Sequence, residues 1–139
     1  RIELRLGPAI DTLRALPDAG QFDVAFIDAD KGGYLGYWRE VVPRVRPGGL
    51  IMVDNTFSHG RVIDAGNDNP LVIAVRDFND HAAADDRVDL VMVPIGDGLT
   101  LAVRDFLDRI VLDQARDCFG RFSTDADPVL DAIVIKLHR

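Results

Sequence analysis

The sequence predicts an α/β fold, a three-layer sandwich built on a mostly parallel sheet that finishes in an antiparallel hairpin. Three observations carry that prediction. Two short apolar runs, Phe22 to Ile27 and Leu50 to Val53, each end in acid, at Asp28-Ala29-Asp30-Lys31 and at Asp54-Asn55. One helix-sized stripe separates them, the spacing of a βαβ crossover between parallel neighbours. Further on, Asp97-Gly98 joins two more apolar runs, a strong hairpin-turn signal.

The elements follow in order. Ile2, Leu4 and Leu6 alternate with Glu3 and Arg5, the pattern of a strand with one wet face. Gly7-Pro8 opens a helix with Pro at its first position. Ile10, Leu13 and Leu16 form its apolar face and Pro17 stops it. The nearly continuous run Phe22 to Ile27 predicts a strand covered on both faces. Tyr34, Trp38, Val41, Val42 and Val45 make a helical stripe ended by Pro47-Gly48-Gly49, and Leu50 to Val53 is the next buried strand. The polar connection Thr56 to Asn69, about 14 residues, is long for this kind of fold, and loops of that length are usually functional. Asn69-Pro70 caps a helix reaching about Ala84, with Val72, Val75, Phe78 and Ala82 inward. Val88 to Pro94 and Leu99 to Val103 are the hairpin strands. In the tail, Asp105 to Arg116 reads as an amphipathic helix, Phe119 to Asp127 as turns, and Ala132 to Leu137 as a last strand.

Composition bounds the function. The chain has 139 residues, 47% of them hydrophobic and 28% charged, with a net charge of −7. That size supports one domain with a real core. The acidic balance argues against nucleic acid or an anionic membrane as partner. The single Cys118 allows no internal disulfide and fits a reducing, cytoplasmic setting. No apolar run approaches a membrane span. The chain opens on Arg1 without a signal peptide or an initiator Met.

Parallel neighbours lie about 4.8 Å apart, so Asp28, Asp54 and Asn55 converge at the carboxyl ends of adjacent strands, where open α/β sheets bind ligands. Three oxygen side chains meeting there suit a hard divalent cation, Mg²⁺ or Ca²⁺. Each acid taken alone reads equally as a helix cap or turn residue. Asp28 and Asp30, two apart in extended chain, face one side. Lys31 stands at the mouth of the site, where a nearby cation would favour its neutral form and make it a general base; without that context it is a solvated lysine pairing Asp30. Tyr34 and Trp38 belong to the core, while Tyr37 projects elsewhere and is placed to line a pocket. His59 lies in the loop that starts at Asp54-Asn55. His81 and His138 read as surface, and Cys118 as a small apolar residue. Asp64, Asp68, Asp85 and Asp86 read as loop and cap acids.

Several motifs in order now resemble a known family. They are Phe26-Ile27-Asp28-Ala29-Asp30-Lys31, Tyr34-Leu35 with Tyr37, Arg46-Pro47-Gly48-Gly49-Leu50-Ile51, Asp54-Asn55, His59-Gly60 and Pro94-Ile95-Gly96-Asp97-Gly98-Leu99-Thr100. Together they resemble the cation-dependent O-methyltransferases of the caffeoyl-CoA and catechol type, which have a Rossmann-like fold and use S-adenosylmethionine. The resemblance covers Arg1 to about Arg104. It divides the chain into a partial methyltransferase domain, 1–104, and a tail, 105–139, packed on the same domain. It implies Asp28, Asp54 and Asn55 as cation ligands, the same three that strand geometry brings together. It implies Asp30 and Tyr37 at the cofactor, Lys31 as the catalytic base, and Asp28 and His59 at the substrate. It further implies methyl transfer to a catechol-like or acyl-CoA-linked hydroxyl, in a homodimer.

Two departures matter. The family's Gly-rich cofactor loop, and the ribose-binding acid after the next strand, have no counterpart here, so the first two strands of the family sheet are missing. In the family those strands lie at the centre of the sheet, between the strand expected at Ile2 to Leu6 and the Asp28 strand, so the chain should show a gap with exposed strand edges and bind S-adenosylmethionine weakly or not at all. The tail also lies beyond the usual family end, as a truncated or frame-shifted reading frame would produce. Two rival readings are a non-catalytic remnant, a dimerising α/β module whose tail covers the open edge, and a haloacid-dehalogenase-type phosphatase with Asp28-Ala29-Asp30 as its nucleophile motif. The phosphatase motif wants Thr or Val where this chain has Gly32.

Overall fold

The computed structural model describes residues 3–105 and the backbone of residues 132–136. In chain order the elements are helix α1 (Ala9–Ala15), strand β1 (Phe22–Asp28), helix α2 (Tyr34–Val41), strand β2 (Val45–Asp54), helix α3 (Pro70–Ala83) and strands β3 (Val88–Val93), β4 (Leu99–Arg104) and β5 (Ala132–Lys136). Together the strands make one mixed sheet in the order β3-β4-β2-β1-β5. β1 runs parallel to β2 on one side and to β5 on the other. β4 runs antiparallel to both β2 and β3, the expected hairpin.

The core lies on one face of this sheet. Ala25, Ile27, Ile51, Val53 and Ala102 meet Leu13 of α1, Tyr34, Trp38 and Val41 of α2, and Phe78 and Ala82 of α3. Tyr34 and Trp38 meet the Phe78 ring edge-on, with centroids 5.5 and 5.7 Å away. Burying each such ring contributes about 1.5–3 kcal/mol. α3 begins as its sequence dictates: the Asn69 side chain accepts the Leu71 amide at 2.9 Å, and Pro70 fills the first turn.

Four features differ from expectation. Residues 3–8 form no strand, and Leu4 and Leu6 are exposed, because nothing among the described residues offers that stretch a ladder to join. Pro8 serves as the N-cap of α1 rather than as its first helical residue. Pro47-Gly48-Gly49 does not end the helix. α2 stops at Val41, a 3₁₀ turn with Pro43 follows, and the Pro-Gly-Gly stretch already belongs to β2, whose register against β1 shifts there. Finally, β1 and β2 are buried on one face only: Val24, Phe26, Leu50 and Met52 are half-buried. All three α-helices pack in one cluster on the buried face, and among the described residues no α-helix covers the other, so the expected third layer is not among them.

The predicted gap beside β1 is also absent. β5 pairs along it from Val24↔Ala132 to Asp28↔Lys136, so β1 has a strand on each side. This is the last strand expected from the sequence. The helix expected over Asp105 to Arg116, the turns after it, Cys118 and His138 lie outside the described residues.

Candidate functional site

Parallel pairing in the register Ile27↔Val53 brings Asp28 and Asp54 level at the same end of the sheet. The chain then turns sharply at both strand ends. After β1, Asp30 leads into a 3₁₀ turn, Lys31–Gly33, that hands directly into α2. After β2, Asn55 takes a left-handed conformation with φ 56°. These two turns face each other, and Lys31 bridges them. Its Nζ donates to Asn55 Oδ1 at 2.8 Å and to the Tyr34 hydroxyl, and lies 3.9 Å from Asp28 Oδ1. The Tyr34 hydroxyl in turn donates to the Asp54 carbonyl at 2.8 Å. The Asp54 carboxylate accepts the Asn55 amide at 2.7 Å.

The electrostatics follow from this packing. Burial pulls the Lys31 ammonium below the ordinary lysine value, although Asp28, Asp54, Asp97 and Asp30 all pull it up. Burial also pushes the Tyr34 phenol up, reinforced by the same four carboxylates, so it remains a hydrogen-bond donor.

A second pair stands beside the first. The Tyr37 hydroxyl donates to Asp30 Oδ1 at 2.7 Å. Burial, then this bond, pushes the Tyr37 phenol up to about 12. Tyr37 is buried. Gly33 makes the pair possible, since a Cβ there would lie 2.6 Å from the Tyr37 ring and 2.8 Å from Asp30 Oδ2. Asp30 itself is exposed.

His59 makes its contact with a fourth acid, Asp97. Its Nδ1 lies 3.3 Å from Asp97 Oδ2, and its side chain is 80% exposed. Two residues of this end were not singled out for chemistry by sequence: Tyr34, hidden in a core stripe, and Asp97, hidden in a turn signal. Only their spatial neighbours disclose them.

The donor set is compatible with a hard cation. Among the described residues no group of three or more His, Cys, Asp or Glu could hold a metal ion, so Asn55 would have to complete the set with Asp28 and Asp54. The Lys31 ammonium already rests against two of these three side chains, which is where an attracted positive charge would sit.

The family model described as O-methyltransferase matches residues 1–105. The chain belongs to that family. It is 44% identical over 108 residues to "Probable caffeoyl-CoA O-methyltransferase 1" of Dictyostelium discoideum, covering 75% of this chain and 47% of that protein. Against caffeoyl-CoA O-methyltransferase 2 of Zea mays it is 44% identical over 115 residues, 75% of this chain and 43% of that one. The chain thus spans about half the length of the curated relatives it matches, or less. Among solved structures, an O-methyltransferase from Bacillus cereus in complex with SAH superposes with a TM-score of 0.68 at 34% identity, covering 76% of this chain and 51% of that one. The SAH-bound methyltransferase PaMTH1 of Podospora anserina gives 0.62 at 32% identity, covering 71% and 47%. Membership of the O-methyltransferase family leaves the phosphatase reading of Asp28-Ala29-Asp30 without support.

Proposed function

We propose that this O-methyltransferase family chain carries the cation-binding and proton-transfer part of a site for S-adenosylmethionine-dependent, divalent-cation-dependent methylation of a catechol-like or acyl-CoA-linked hydroxyl. The observation that carries the reading is the meeting of Lys31 with Asn55 and Asp28 at the ends of adjacent parallel strands. Asp28, Asp54 and Asn55 would hold the cation, which would supply charge stabilisation to the acceptor's oxygens and acidify the hydroxyl to be methylated. Asp28 is also the acid nearest the acceptor, and His59 borders it from the loop. Lys31 receives the hydroxyl proton at Nζ, and its burial favours the neutral amine that can do so. Tyr34 orients that amine, because its own proton is committed to the Asp54 carbonyl and its oxygen faces Lys31. Asp30, held by Tyr37, is the residue for the cofactor. A cytoplasmic homodimer is part of the same reading. Among the described residues, no helix is long and apolar enough to cross a membrane.

A second reading is an α/β module without transfer activity. It is favoured by β5, which lies where the family resemblance expects a cofactor-carrying strand. Calorimetry separates the two. Titration with Mg²⁺ should show one site that Asp54→Ala abolishes and Asp86→Ala preserves. S-adenosylmethionine binding at micromolar affinity would support the enzyme, and its absence together with absent Mg²⁺ binding would support the module.

A further inference from the structure

We propose that Asp97, in the turn between β3 and β4, is a positioning residue for the site: it holds the segment from Asn55 to His59 and sets the His59 ring at the site's rim. The inference rests on the cation-site reading for its function, but on separate contacts for its geometry.

Three residues after β2 take left-handed conformations that non-glycine residues avoid: Asn55 at φ 56°, Ser58 at 48° and His59 at 57°. Asn and His adopt this conformation more readily than most residues, but for Ser58 it costs on the order of 1 kcal/mol, which surrounding contacts must offset. Asn79 and Thr100 hold Thr56, at 2.8 and 3.2 Å, and Lys31 holds Asn55, but the contacts at Phe57 and His59 come from the β3–β4 turn. The Thr56 amide donates to the Gly98 carbonyl at 3.0 Å and the Phe57 amide to the Asp97 carbonyl at 2.9 Å. The His59 amide donates to Asp97 Oδ1 at 2.5 Å, and His59 Nδ1 faces Asp97 Oδ2 at 3.3 Å. One carboxylate therefore grips both the backbone and the ring of His59. The grip requires close approach: Gly98 has φ 83°, and a Cβ there would collide with the Phe57 ring.

The Asp97 side chain is 17% exposed, far less than that of His59, so the carboxylate is the fixed partner and the ring the positioned one. With Nδ1 engaged, Nε2 is the ring nitrogen left to meet other partners. The same loop begins at Asn55, whose Oδ1 holds Lys31. Asp97 is thus linked to the proposed cation donor Asn55 through the short segment 55–59, which holds the three left-handed residues.

The test uses the full chain with NMR and Mn²⁺ as probe. In Asp97→Ala, the His59 amide should exchange at least about tenfold faster, the donor having lost a part-buried acceptor, and the His59 ring nitrogens should move to the shifts of a free histidine. Asp97→Asn keeps an oxygen for the amide, so it should restore the slow exchange while leaving the ring free. A generally loosened protein would not show that split. Asp89→Asn, on the exposed side of β3, is the control and should match wild type. Mn²⁺ should broaden Asp54, Asn55 and their neighbours in the wild type, and Asp97→Ala should bind it about 10- to 100-fold more weakly, as loss of outer support does at metal sites. Unchanged His59 exchange and ring shifts in Asp97→Ala would overturn the proposal. So would undiminished Mn²⁺ affinity in that variant when the wild type binds. Failure of the wild type to bind Mn²⁺ would instead sink the cation-site reading, and the exchange and ring data would decide the role of Asp97 alone.

Discussion

Tyr34 shows how much one atom can hold. Its ring lies in the core against Phe78, and its hydroxyl ties the α2 side of the site to the last carbonyl of β2. Tyr34→Phe keeps the ring and deletes only the tie. It leaves Lys31 with one fewer oxygen and the Asp54 carbonyl without its side-chain donor. Chemical denaturation should show a loss of about 1–2 kcal/mol. Any activity should fall further than that stability loss explains, because Lys31 would no longer be oriented. Sequence reading reached Lys31, Asp28, Asp54 and Asn55 because strand ends are countable. It sent Tyr34 to the core, since a period of four residues reports where a ring points and says nothing of its hydroxyl. The converse happened at Tyr37, read as projecting away from the core but buried, since it stands three positions after Tyr34 on the same side of the helix. Its partner Asp30 comes from the preceding turn, outside the helix pattern.

At the scale of elements, the join between α3 and β3 is fastened by Asp85. Its carboxylate accepts Arg87 through Nε at 2.8 Å and through a terminal nitrogen at 2.7 Å, and accepts Trp38 Nε1 at 2.8 Å. The Arg87 bonds, against the opposing effect of burial, and with help from Trp38, hold the Asp85 carboxyl down to about 2 from an ordinary 3.8. A depressed folded value means that the stabilisation is present above the ordinary value and is lost as pH falls through the folded one. Asp85→Ala should therefore cost about 2 kcal/mol at neutral pH. The difference from wild type should shrink between about pH 4 and pH 2 in denaturation measured across that range. The sequence showed Asp85 only as a cap acid, because Trp38 stands on another helix. The strands and α3 were legible, each having its own period, cap or turn. The first expected strand was not, since alternation describes a face but cannot supply a neighbour. Likewise, apolar residues on both sides of β1 and β2 predicted two covering layers, and only one is made by the described helices.

For the molecule as a whole, the sheet order separates what is near in sequence from what is near in space. β2, β4 and β3 assemble from a continuous stretch, while β1 receives its second partner from the far end of the chain, Val24 pairing with Ala132. In time, that contact has to come late. Closing so long a loop costs more entropy than closing the hairpin, and distant pairings slow folding. While this chain refolds, that edge of β1 stays open until Ala132–Lys136 docks, a period in which it is available to other chains. Pulse-labelled hydrogen exchange during refolding should find the Leu99–Arg104 amides protected first and those amides of Val24–Asp28 that face β5 protected last. Simultaneous protection would show that the two ends of the chain meet before the sheet between them has formed.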